Sequence, residues 1–330
     1  MVPALVTLEE IRAAAARIRP AVARTPLLAV GDGRAPARPF HLKCEHFQPM
    51  GAFKLRGAYN VRSLLGPDAR AAGVVTYSSG NHGQAVALSA QLLGMRAVVV
   101  MPETAPRVKV EGARKYGAEV IFAGRTSDDR RARAEAEAAA HGYTIVPPFD
   151  HPQIIAGAGT VGLEIAQDWP EVEAVVIPVG GGGLVAGSAL ALRRELGEEL
   201  RIYGAEPEGA ATLTRGLERG APVQVEPITS KVQGLTPLFC GQLNIDIARA
   251  TLDGVFALSD ERIFAAQKRL VAAGETVEPA GAAACAVVFA GALPLRGRAL
   301  RVAAVVSGGN PDPAQLLSLR EELARERAPS

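Results

Sequence analysis

The sequence predicts an α/β protein with two lobes, each containing a mostly parallel sheet flanked by helices. From Gly73 onward, short β-rich runs alternate with helical stretches, which is the rhythm of parallel strands joined by helical crossovers. The length of 330 residues exceeds that of most domains with a single core. No low-complexity linker interrupts the chain, so we expect the two lobes to be closely joined.

The predicted elements follow from local patterns along the chain. Thr7 and Glu10 have the spacing of a capping box, so the first helix begins after Thr7, and it ends before Pro20. An alternating piece at 40–43 follows the turn-rich run 31–39 and indicates a hairpin strand. The remaining strand predictions are 74–77, 97–100, 119–122, 175–179, 201–205 and 302–306. Further helices are predicted from about residue 82, from about residue 106, at 128–140 facing solvent, at 184–196, and at 279–295 in the core.

The composition excludes several classes of function. The 48% hydrophobic and 21% charged residues are typical of a globular protein, and the net charge of +2 comes without long runs of one sign. We therefore expect no nucleic-acid partner. The uncharged stretch 174–192 is long enough to span a membrane, but Pro178 and the glycines after it interrupt it. We read it as a strand, a loop and a helix, and expect no membrane segment.

The cysteines and the N-terminus predict a cytoplasmic protein. Cys44, Cys240 and Cys285 are far apart and odd in number, which indicates neither a disulfide framework nor a metal or redox motif. The first ten residues lack the basic flank and the longer apolar stretch of a signal peptide. A reducing compartment fits both observations.

Four consecutive glycines, Gly180–Gly183, separate a buried-strand pattern from a helical run. Residues without Cβ let successive backbone N–H groups converge on an anion at a helix N-terminus, so this loop is a candidate phosphate site. A tight strand-to-helix turn is the alternative interpretation. The loop continues with Leu184-Val185-Ala186, which excludes a Walker loop. A dinucleotide-binding fold stays open, with Glu206 as the acidic partner of the ribose.

Lys54 is the candidate nucleophile. The chain has only six lysines against thirty arginines, so a lysine kept between the apolar residues Phe53 and Leu55 is expected to be needed for its amine. Its position at a predicted helix start places it at the positive end of the helix dipole, which lowers the pKa of the amine. A neutral amine attacks aldehydes. An ordinary solvated helix residue is the alternative interpretation.

Two further loops carry polar residues at the ends of predicted strands. Backbone N–H groups of Ser79–His82, with the Ser and Asn side chains, form a second anion site suited to a carboxylate. Helix capping by Ser79 and Asn81 is the alternative, and His82 is expected to have a structural role. After the last strand, the Ser307 hydroxyl is a candidate partner for a neutral ring nitrogen. One amine and two anion sites imply a phosphorylated aldehyde and an amino acid.

In order and spacing, these segments resemble the fold-type II pyridoxal-phosphate enzymes, which have a tryptophan synthase β-like fold. The resemblance is to the branch of serine/threonine dehydratases (threonine ammonia-lyases) and serine racemases, and it spans nearly the whole chain. The matching segments are Arg24–Leu27, Phe53–Ala58, Ser78–Gln84, Gly180–Leu184, Gly204–Pro207 and Ser307–Asn310. Related sulfhydrylases usually have Thr-Ser-Gly-Asn-Thr-Gly where this chain has Ser-Ser-Gly-Asn-His-Gly, which favours a dehydratase.

The resemblance implies a role for each matched residue. Lys54 carries pyridoxal 5'-phosphate as a Schiff base and is catalytic, and Phe53 packs against the pyridine ring. Asn81 bonds the phenolic oxygen of the ring, and Ser307 bonds the ring nitrogen. The phosphate lies on a set of backbone amides, those of Gly180, Gly181, Gly182, Gly183 and Leu184. Ser79 is a second catalytic residue, and the substrate carboxylate lies on Ser79, Gly80, Asn81 and His82.

Three departures from the family pattern concern the substrate and a metal. Ala52 stands where relatives commonly have Ser before the Phe-Lys pair. Thr212 stands where cation-binding relatives have an acidic residue, six positions after Glu206, which argues against a divalent cation at Glu206. The segment 231–235 also differs from the versions found in this branch, so the resemblance does not define the substrate pocket.

The resemblance implies β-elimination of L-threonine or L-serine, giving 2-oxobutanoate or pyruvate and ammonia. The alternatives are a serine racemase, a 3-hydroxyaspartate dehydratase and, more distantly, a nucleotide-binding oxidoreductase. The family fold assigns 1–72 and 150–330 to a large cofactor-binding lobe and 73–149 to a small mobile lobe. Because the chain ends soon after Ser307, we expect no regulatory ACT domain. The resemblance also implies a homodimer that acts on a small amino acid.

Overall fold

The computed structural model describes residues 6–31, 39–294 and 301–327 of the chain. The strands are β1 (Leu27–Gly31), β2 (Pro39–Cys44), β3 (Val74–Tyr77), β4 (Ala97–Met101), β5 (Glu119–Phe122), β6 (Thr144–Ile145), β7 (Ala174–Pro178), β8 (Arg201–Pro207), β9 (Gly254–Leu258) and β10 (Val302–Val306). The helices are α1 (Leu8–Ile18), α2 (Lys54–Ser63), α3 (Pro67–Ala72), α4 (Asn81–Leu92), α5 (Arg107–Arg114), α6 (Ser127–His141), α7 (Pro152–Asp168), α8 (Gly183–Leu196), α9 (Thr212–Arg219), α10 (Gln242–Thr251), α11 (Asp260–Ala272), α12 (Pro279–Ala290) and α13 (Pro313–Arg327).

The strands form two sheets. The larger sheet has the order β1-β2-β10-β7-β8-β9, and the smaller sheet has the order β5-β4-β3-β6. Strands β1 and β2 form an antiparallel pair, and the other paired strands are parallel. The predicted α/β class with two mostly parallel sheets is therefore confirmed. The smaller sheet falls within 73–149, but the division into a large lobe and a mobile small lobe stays a prediction.

Both faces of the smaller sheet are covered by helices. In β4, Val99 packs with Ala85 of α4, whereas Val98 packs on the opposite face with Ala134 of α6. Successive side chains of a strand point to opposite faces, and here both faces are buried. This arrangement explains why residues 97–101 form an unbroken apolar run instead of an alternating one.

The larger sheet is covered in the same way. In β7, Val176 packs with Ala283 of α12, and Val175 packs on the other face with Val185 of α8. Helix α12 is buried from residue 279 to residue 288, as the core-helix prediction requires. Parallel strands between two helical layers have their carboxyl ends at one edge, where loops meet and ligands bind.

Helix α7 lies at the centre of the helical packing, and the sequence analysis did not predict it. A Cβ added to its Gly162 would lie 2.2 Å from the carbonyl oxygen of Ser188 in α8. A Cβ added to its Gly157 would lie 2.6 Å from the carbonyl oxygen of Arg56 in α2. Glycine weakens an isolated helix, but here it allows two backbones to approach closely. Helix α2, which begins at Lys54, is therefore fixed against α7.

The strand predictions agree with the structure within two residues, and 74–77, 119–122 and 302–306 match residue for residue. The capping box is present, because the Thr7 hydroxyl accepts a hydrogen bond of 3.2 Å from the Glu10 amide. Helix α6 faces solvent and buries only Ala134. The predicted run 31–39 lies largely outside the described residues. The predicted helix 279–295 was too long, because α12 ends at Ala290 and Gly291 ends it in the left-handed conformation. Among the residues described, no helix is long and apolar enough to cross a membrane.

Candidate active site

The loops singled out in the sequence meet at the carboxyl ends of the strands. The segment before α2 is bound to the end of β10, because the Phe53 amide donates to the Ser307 carbonyl oxygen at 3.1 Å. Ala52 also forms an isolated β-bridge with Gly308. The loop 78–80 follows β3, and the glycine loop 180–183 follows β7. The sequence prediction therefore placed each segment on the correct kind of element.

Lys54 is the first residue of α2, and it is largely buried. Its Nζ donates a hydrogen bond of 2.7 Å to the carbonyl oxygen of Pro148 and lies 5.1 Å from the centroid of the Phe53 ring. Burial lowers the pKa of Lys54 to about 8, because the charged form loses its hydration. A substantial fraction of this amine is neutral slightly above neutral pH, and a neutral amine is the nucleophilic form.

The glycine loop requires glycine for both space and conformation. A Cβ added to Gly181 would lie 2.1 Å from the Phe149 ring, and one added to Gly182 would lie 2.6 Å from the Cys240 sulfur. Gly182 also has a φ of +95°, which side chains with a Cβ rarely adopt. The loop ends at the N-terminus of the 14-residue helix α8. Its free amides and the helix dipole attract an anion such as a phosphate.

Asn81 is held by two residues to which the sequence analysis gave no role. Its Nδ2 donates to Glu278 Oε1 at 2.6 Å, and its Oδ1 accepts from Asn310 Nδ2 at 2.9 Å. Glu278 is buried, and burial raises its pKa to about 7. Asn310 ends the quoted Ser-Gly-Gly-Asn segment, and Glu278 precedes the Pro-Ala-Gly start of α12. Those positions were the signals available for finding them.

The capping interpretation of Ser79 and Asn81 is wrong. The residue at the N-cap of α4 is Gly80, and no side chain caps this end. Asn81 is the first residue of the helix, so its amide is free to bond Glu278 and Asn310. Ser79 lies half-buried in the loop before the helix.

His82 is buried in the first turn of α4, and its Nε2 lies 3.0 Å from the Val146 carbonyl oxygen. Burial, together with the nearby charges of Lys54 and Arg62, lowers the pKa of His82 to about 3. The ring is therefore neutral at ordinary pH, and the short contact is a bond in which Nε2–H donates to the carbonyl. The proximity of His82 to Lys54 places the 79–82 loop beside the amine.

The candidate residues are joined by a chain of direct contacts. Pro148, which accepts from Lys54, precedes Phe149, whose ring packs on Gly181 of the glycine loop. On the other side, Ser307 is buried, and its Oγ lies 3.4 Å from the Ala280 carbonyl oxygen. The structure thus brings together the lysine, the glycine loop, the 79–82 loop and the end of β10.

Glu206, at the end of β8, binds the start of helix α9 through its carboxylate. Its carboxylate accepts hydrogen bonds from the Leu213 amide at 3.0 Å and from the Thr214 amide at 2.9 Å, and the Thr214 hydroxyl donates to it as well. Both oxygens are therefore engaged by the first turn of α9. Within the described part of the chain, no group of three or more His, Cys, Asp or Glu could hold a metal ion.

These residues fit pyridoxal phosphate. A phosphate matches the free amides of a loop in which a Cβ has no room, and an aldehyde matches a buried amine with a pKa of about 8. The second Nδ2 hydrogen of Asn81 remains available to a phenolic oxygen after Glu278 has taken the first. Ser307 offers a neutral hydroxyl, and not a carboxylate, at the end of β10.

Comparison with known proteins agrees with the cofactor that the site residues fit. A family profile described as "Pyridoxal-phosphate dependent enzyme" matches residues 18–308. The chain is 36% identical to a serine racemase of Schizosaccharomyces pombe over 93% of this chain and 95% of that protein. It is 37% identical to an L-threo-3-hydroxyaspartate ammonia-lyase of Saccharomyces cerevisiae over 96% of this chain and 98% of that protein.

A solved structure is similar over the same length. The processed form of threonine deaminase isoform 2 from Solanum lycopersicum has a TM-score of 0.88 and 33% identity, covering 97% of this chain and 87% of that one. The family profile spans the site residues from Phe53 to Ser307. The chain therefore belongs to the fold-type II pyridoxal-phosphate-dependent enzymes, in the family of ammonia-lyases and amino-acid racemases.

Proposed function

We propose that the protein catalyses β-elimination of L-threonine or L-serine, releasing ammonia and 2-oxobutanoate or pyruvate. The observation that carries this proposal is the buried Lys54 amine, with its lowered pKa, within a site that has a neutral hydroxyl at Ser307. When bound, pyridoxal phosphate withdraws electrons from the substrate Cα. A ring nitrogen that meets a hydroxyl stays unprotonated, which limits this withdrawal and favours prompt loss of the β-hydroxyl over transamination.

We assign the chain's residues to the steps of this reaction. Lys54 would hold the cofactor through its amine and, when that amine is free, would remove the α-proton of the substrate as a general base. The amides of the 79–82 loop bind the substrate carboxylate, and Asn81 holds the phenolic oxygen with the N–H that Glu278 leaves free. The substrate loses its β-hydroxyl as one water molecule and becomes an unsaturated amino acid. A second water molecule hydrolyses the tautomer of this product to the 2-oxo acid and ammonia, so no water is consumed overall.

The arrangement of Glu206 and Thr212 favours a lyase over a racemase. Relatives with a cation at this position have an acidic residue where Thr212 stands, and here the Thr212 hydroxyl donates to the Gly180 carbonyl oxygen at 3.1 Å. The Glu206 carboxylate is engaged by α9. Racemisation also needs an acid on the face opposite Lys54, and Ser79 is the residue available for that step.

The proposal is tested with L-threonine, L-serine and L-threo-3-hydroxyaspartate, measuring 2-oxo acid release and, for L-serine, D-serine formation. We expect release from threonine or serine to be the main reaction. Ser79→Ala should lower any D-serine formation by about 10²-fold or more, the effect of removing a positioned acid, and should leave a substantial part of the deamination.

Ser78→Ala is the matched control, because Ser78 lies in the same loop and accepts a hydrogen bond from the Gly80 amide at 3.3 Å. It separates a change in loop geometry from the loss of an acid. Faster conversion of L-serine to D-serine than to pyruvate by the unaltered protein would reject the lyase in favour of a racemase. Exclusive activity on 3-hydroxyaspartate would reject threonine and serine as substrates.

We also propose a cytosolic homodimer in which the small lobe, 73–149, moves against the remainder. The three cysteines are buried and free, which suits a reducing compartment. The uncharged stretches 174–192 and 279–290 are buried in the chain's own core and do not supply the dimer surface, so the dimer rests on the family resemblance.

Light scattering tests the homodimer. Across the micromolar range we expect twice the mass of one chain, because homo-oligomers of two-fold symmetry are the commonest assemblies and related enzymes form them. Dilution with the cofactor held constant is the control for weak association. A mass equal to one chain throughout this range would exclude the dimer.

A further inference from the structure

The glycine loop binds a phosphate only if its amides point toward it. In a trans peptide, the carbonyl oxygen and the following N–H point in opposite directions. A group that binds the carbonyl oxygen from outside the loop therefore turns the next N–H inward. Glycines do not maintain such an orientation by themselves, because each has access to a wide range of backbone angles.

The carbonyl oxygen of Gly181 is bound from outside by the start of α10. Asn244 Nδ2 donates to it at 2.7 Å, the Gly241 amide at 3.3 Å and the Cys240 sulfur at 3.5 Å. The strongest of these donors by distance is Asn244, which is wholly buried. This bond fixes the peptide between Gly181 and Gly182, so the Gly182 amide faces the opposite side.

Asn244 has a second property that points to a function. Its Oδ1 is buried and has no hydrogen-bond partner among the described residues. A buried acceptor without a partner lowers stability, and an apolar side chain of the same size at this position would avoid that loss. The donor group of Asn244 is therefore the feature that distinguishes asparagine from leucine at this site.

The carbonyl oxygen of Gly180 is bound in a parallel way by the start of α9. The hydroxyl of Thr212, also wholly buried, donates to it at 3.1 Å. Glu206 binds the next amides of α9 and so holds this helix end in place. The bond from Thr212 turns the Gly181 amide away from α9.

The start of α10 is held by a residue distant in sequence. Asp150 accepts from the amides of Gln242 and Leu243, each at 3.2 Å, and replaces the capping side chain that Gly241 lacks. A Cβ on Gly241 would lie 2.2 Å from the Asp150 carboxyl carbon. Asp150 follows Phe149, which covers the glycine loop, so the loop and both helix ends form one assembly.

We propose that Thr212 and Asn244 are positioning residues for the cofactor phosphate: each binds one carbonyl oxygen of the glycine loop and thereby aims the Gly181 and Gly182 amides at the phosphate. In this chain the residue at 212 thus contributes a direct hydrogen bond where cation-binding relatives have an acidic residue. The inference depends on cofactor binding and not on which amino acid is the substrate.

The test compares two ligands that differ only in the phosphate. Apoprotein is titrated with pyridoxal phosphate and with pyridoxal, and binding is followed by absorbance. Thr212→Val and Asn244→Leu each remove one donor with little change in shape. Each substitution should weaken the binding of pyridoxal phosphate about tenfold, as expected for a hydrogen bond that acts on a charged group. Each should change the affinity for pyridoxal less than about twofold.

Two controls separate positioning from general stability. Thr212→Ser keeps the hydroxyl and should retain the ratio of the two affinities found in the unaltered protein. Thr214→Val removes another hydroxyl of helix α9, and this hydroxyl binds Glu206 and not the glycine loop. It should also leave the ratio of the two affinities unaltered. Urea unfolding of each apoprotein measures any general loss of stability.

An equal loss of affinity for both ligands, or no loss of affinity for pyridoxal phosphate, would overturn the proposal. Each substitution removes one of two independent bonds, so either variant that folds is sufficient for the test. An apoprotein that binds pyridoxal phosphate but does not act on threonine or serine would reject the proposed activity and leave this test intact.

Discussion

Lys54→Ala should abolish ammonia release from L-threonine and L-serine. The substitution removes the group that we assign both to cofactor attachment and to α-proton removal, so the rate should fall by at least about 10²–10⁴-fold, the contribution of a positioned base alone. The measurement is 2-oxo acid release with cofactor in excess. Lys115→Ala, at an exposed lysine, is the control and should retain activity.

The attachment itself is tested by borohydride reduction of the holoprotein. Reduction should fix the cofactor on the peptide that contains Lys54, because this amine is buried beside the glycine loop and its pKa is lowered to about 8. Uptake of the cofactor by apoprotein should accelerate as the pH rises and level off above that pKa, where the amine is neutral. Label on another lysine, or uptake of a nicotinamide dinucleotide instead, would contradict the assignment.

Much of the fold and the central residues of the site were predictable from sequence because their signals are local. Strand β3, its loop and helix α4 all lie within residues 74–92, and the capping box at Thr7 lies within residues 7–10. Lys54 was identifiable because lysine is rare in this chain and stands between apolar neighbours. Residues with such signals are read from composition and periodicity alone.

The residues that orient the site were not predictable, because their partners are distant in the chain. Glu278 binds Asn81 across 197 positions, and Asp150 binds the Gln242 amide across 92. The position of Glu278 before the Pro-Ala-Gly start of α12 marks a helix start, but it does not show which residue the carboxylate binds. Its bond to the Asn81 amide follows from burial beside that residue, which is a property of the tertiary structure.

Helix α7 was missed for a related reason. Its glycines lower the helix propensity of the segment, and the close packing that requires them is visible only when α2 and α8 are in place. The same helix carries Glu164, a carboxylate in an otherwise apolar pattern. This residue is one of four charged residues in an ionic cluster that binds α2 at Arg56, two residues after Lys54.

Arg56 is the centre of that cluster, and it is wholly buried. Its guanidinium donates to both oxygens of Glu45, each at 2.7 Å, and to both oxygens of Glu164, at 2.7 and 2.9 Å. Lys43 binds Glu164 at 2.6 Å, so two positive charges balance two negative ones. Burial raises the Glu45 pKa, but the charge and hydrogen bonds of Arg56 outweigh it, and the pKa is lower than usual.

Arg56→Met should destabilise the protein severely. It keeps most of the side-chain volume but leaves the buried Glu45 carboxylate without its main partner, a change that costs about 3–5 kcal/mol. The total stability of a folded protein is about 5–15 kcal/mol, so a large share is lost. The measurement is the free energy of unfolding of the apoprotein in urea. Arg96→Met, at an exposed ion pair with Glu119, is the control, and it should cost less than about 1 kcal/mol.

The pH dependence of the difference in unfolding free energy between the unaltered protein and Arg56→Met identifies the cause of the destabilisation. In the unaltered protein the low Glu45 pKa contributes stability that is present above the pKa of the unfolded carboxyl and is lost as the pH falls through the folded one. In Arg56→Met the same carboxylate is a buried unpaired charge, so protonation in acid relieves the cost. The difference in stability between the two proteins should therefore be largest near neutral pH and decrease in acid. A difference that stays constant over this range would mean that lost packing, and not the unpaired carboxylate, causes the destabilisation.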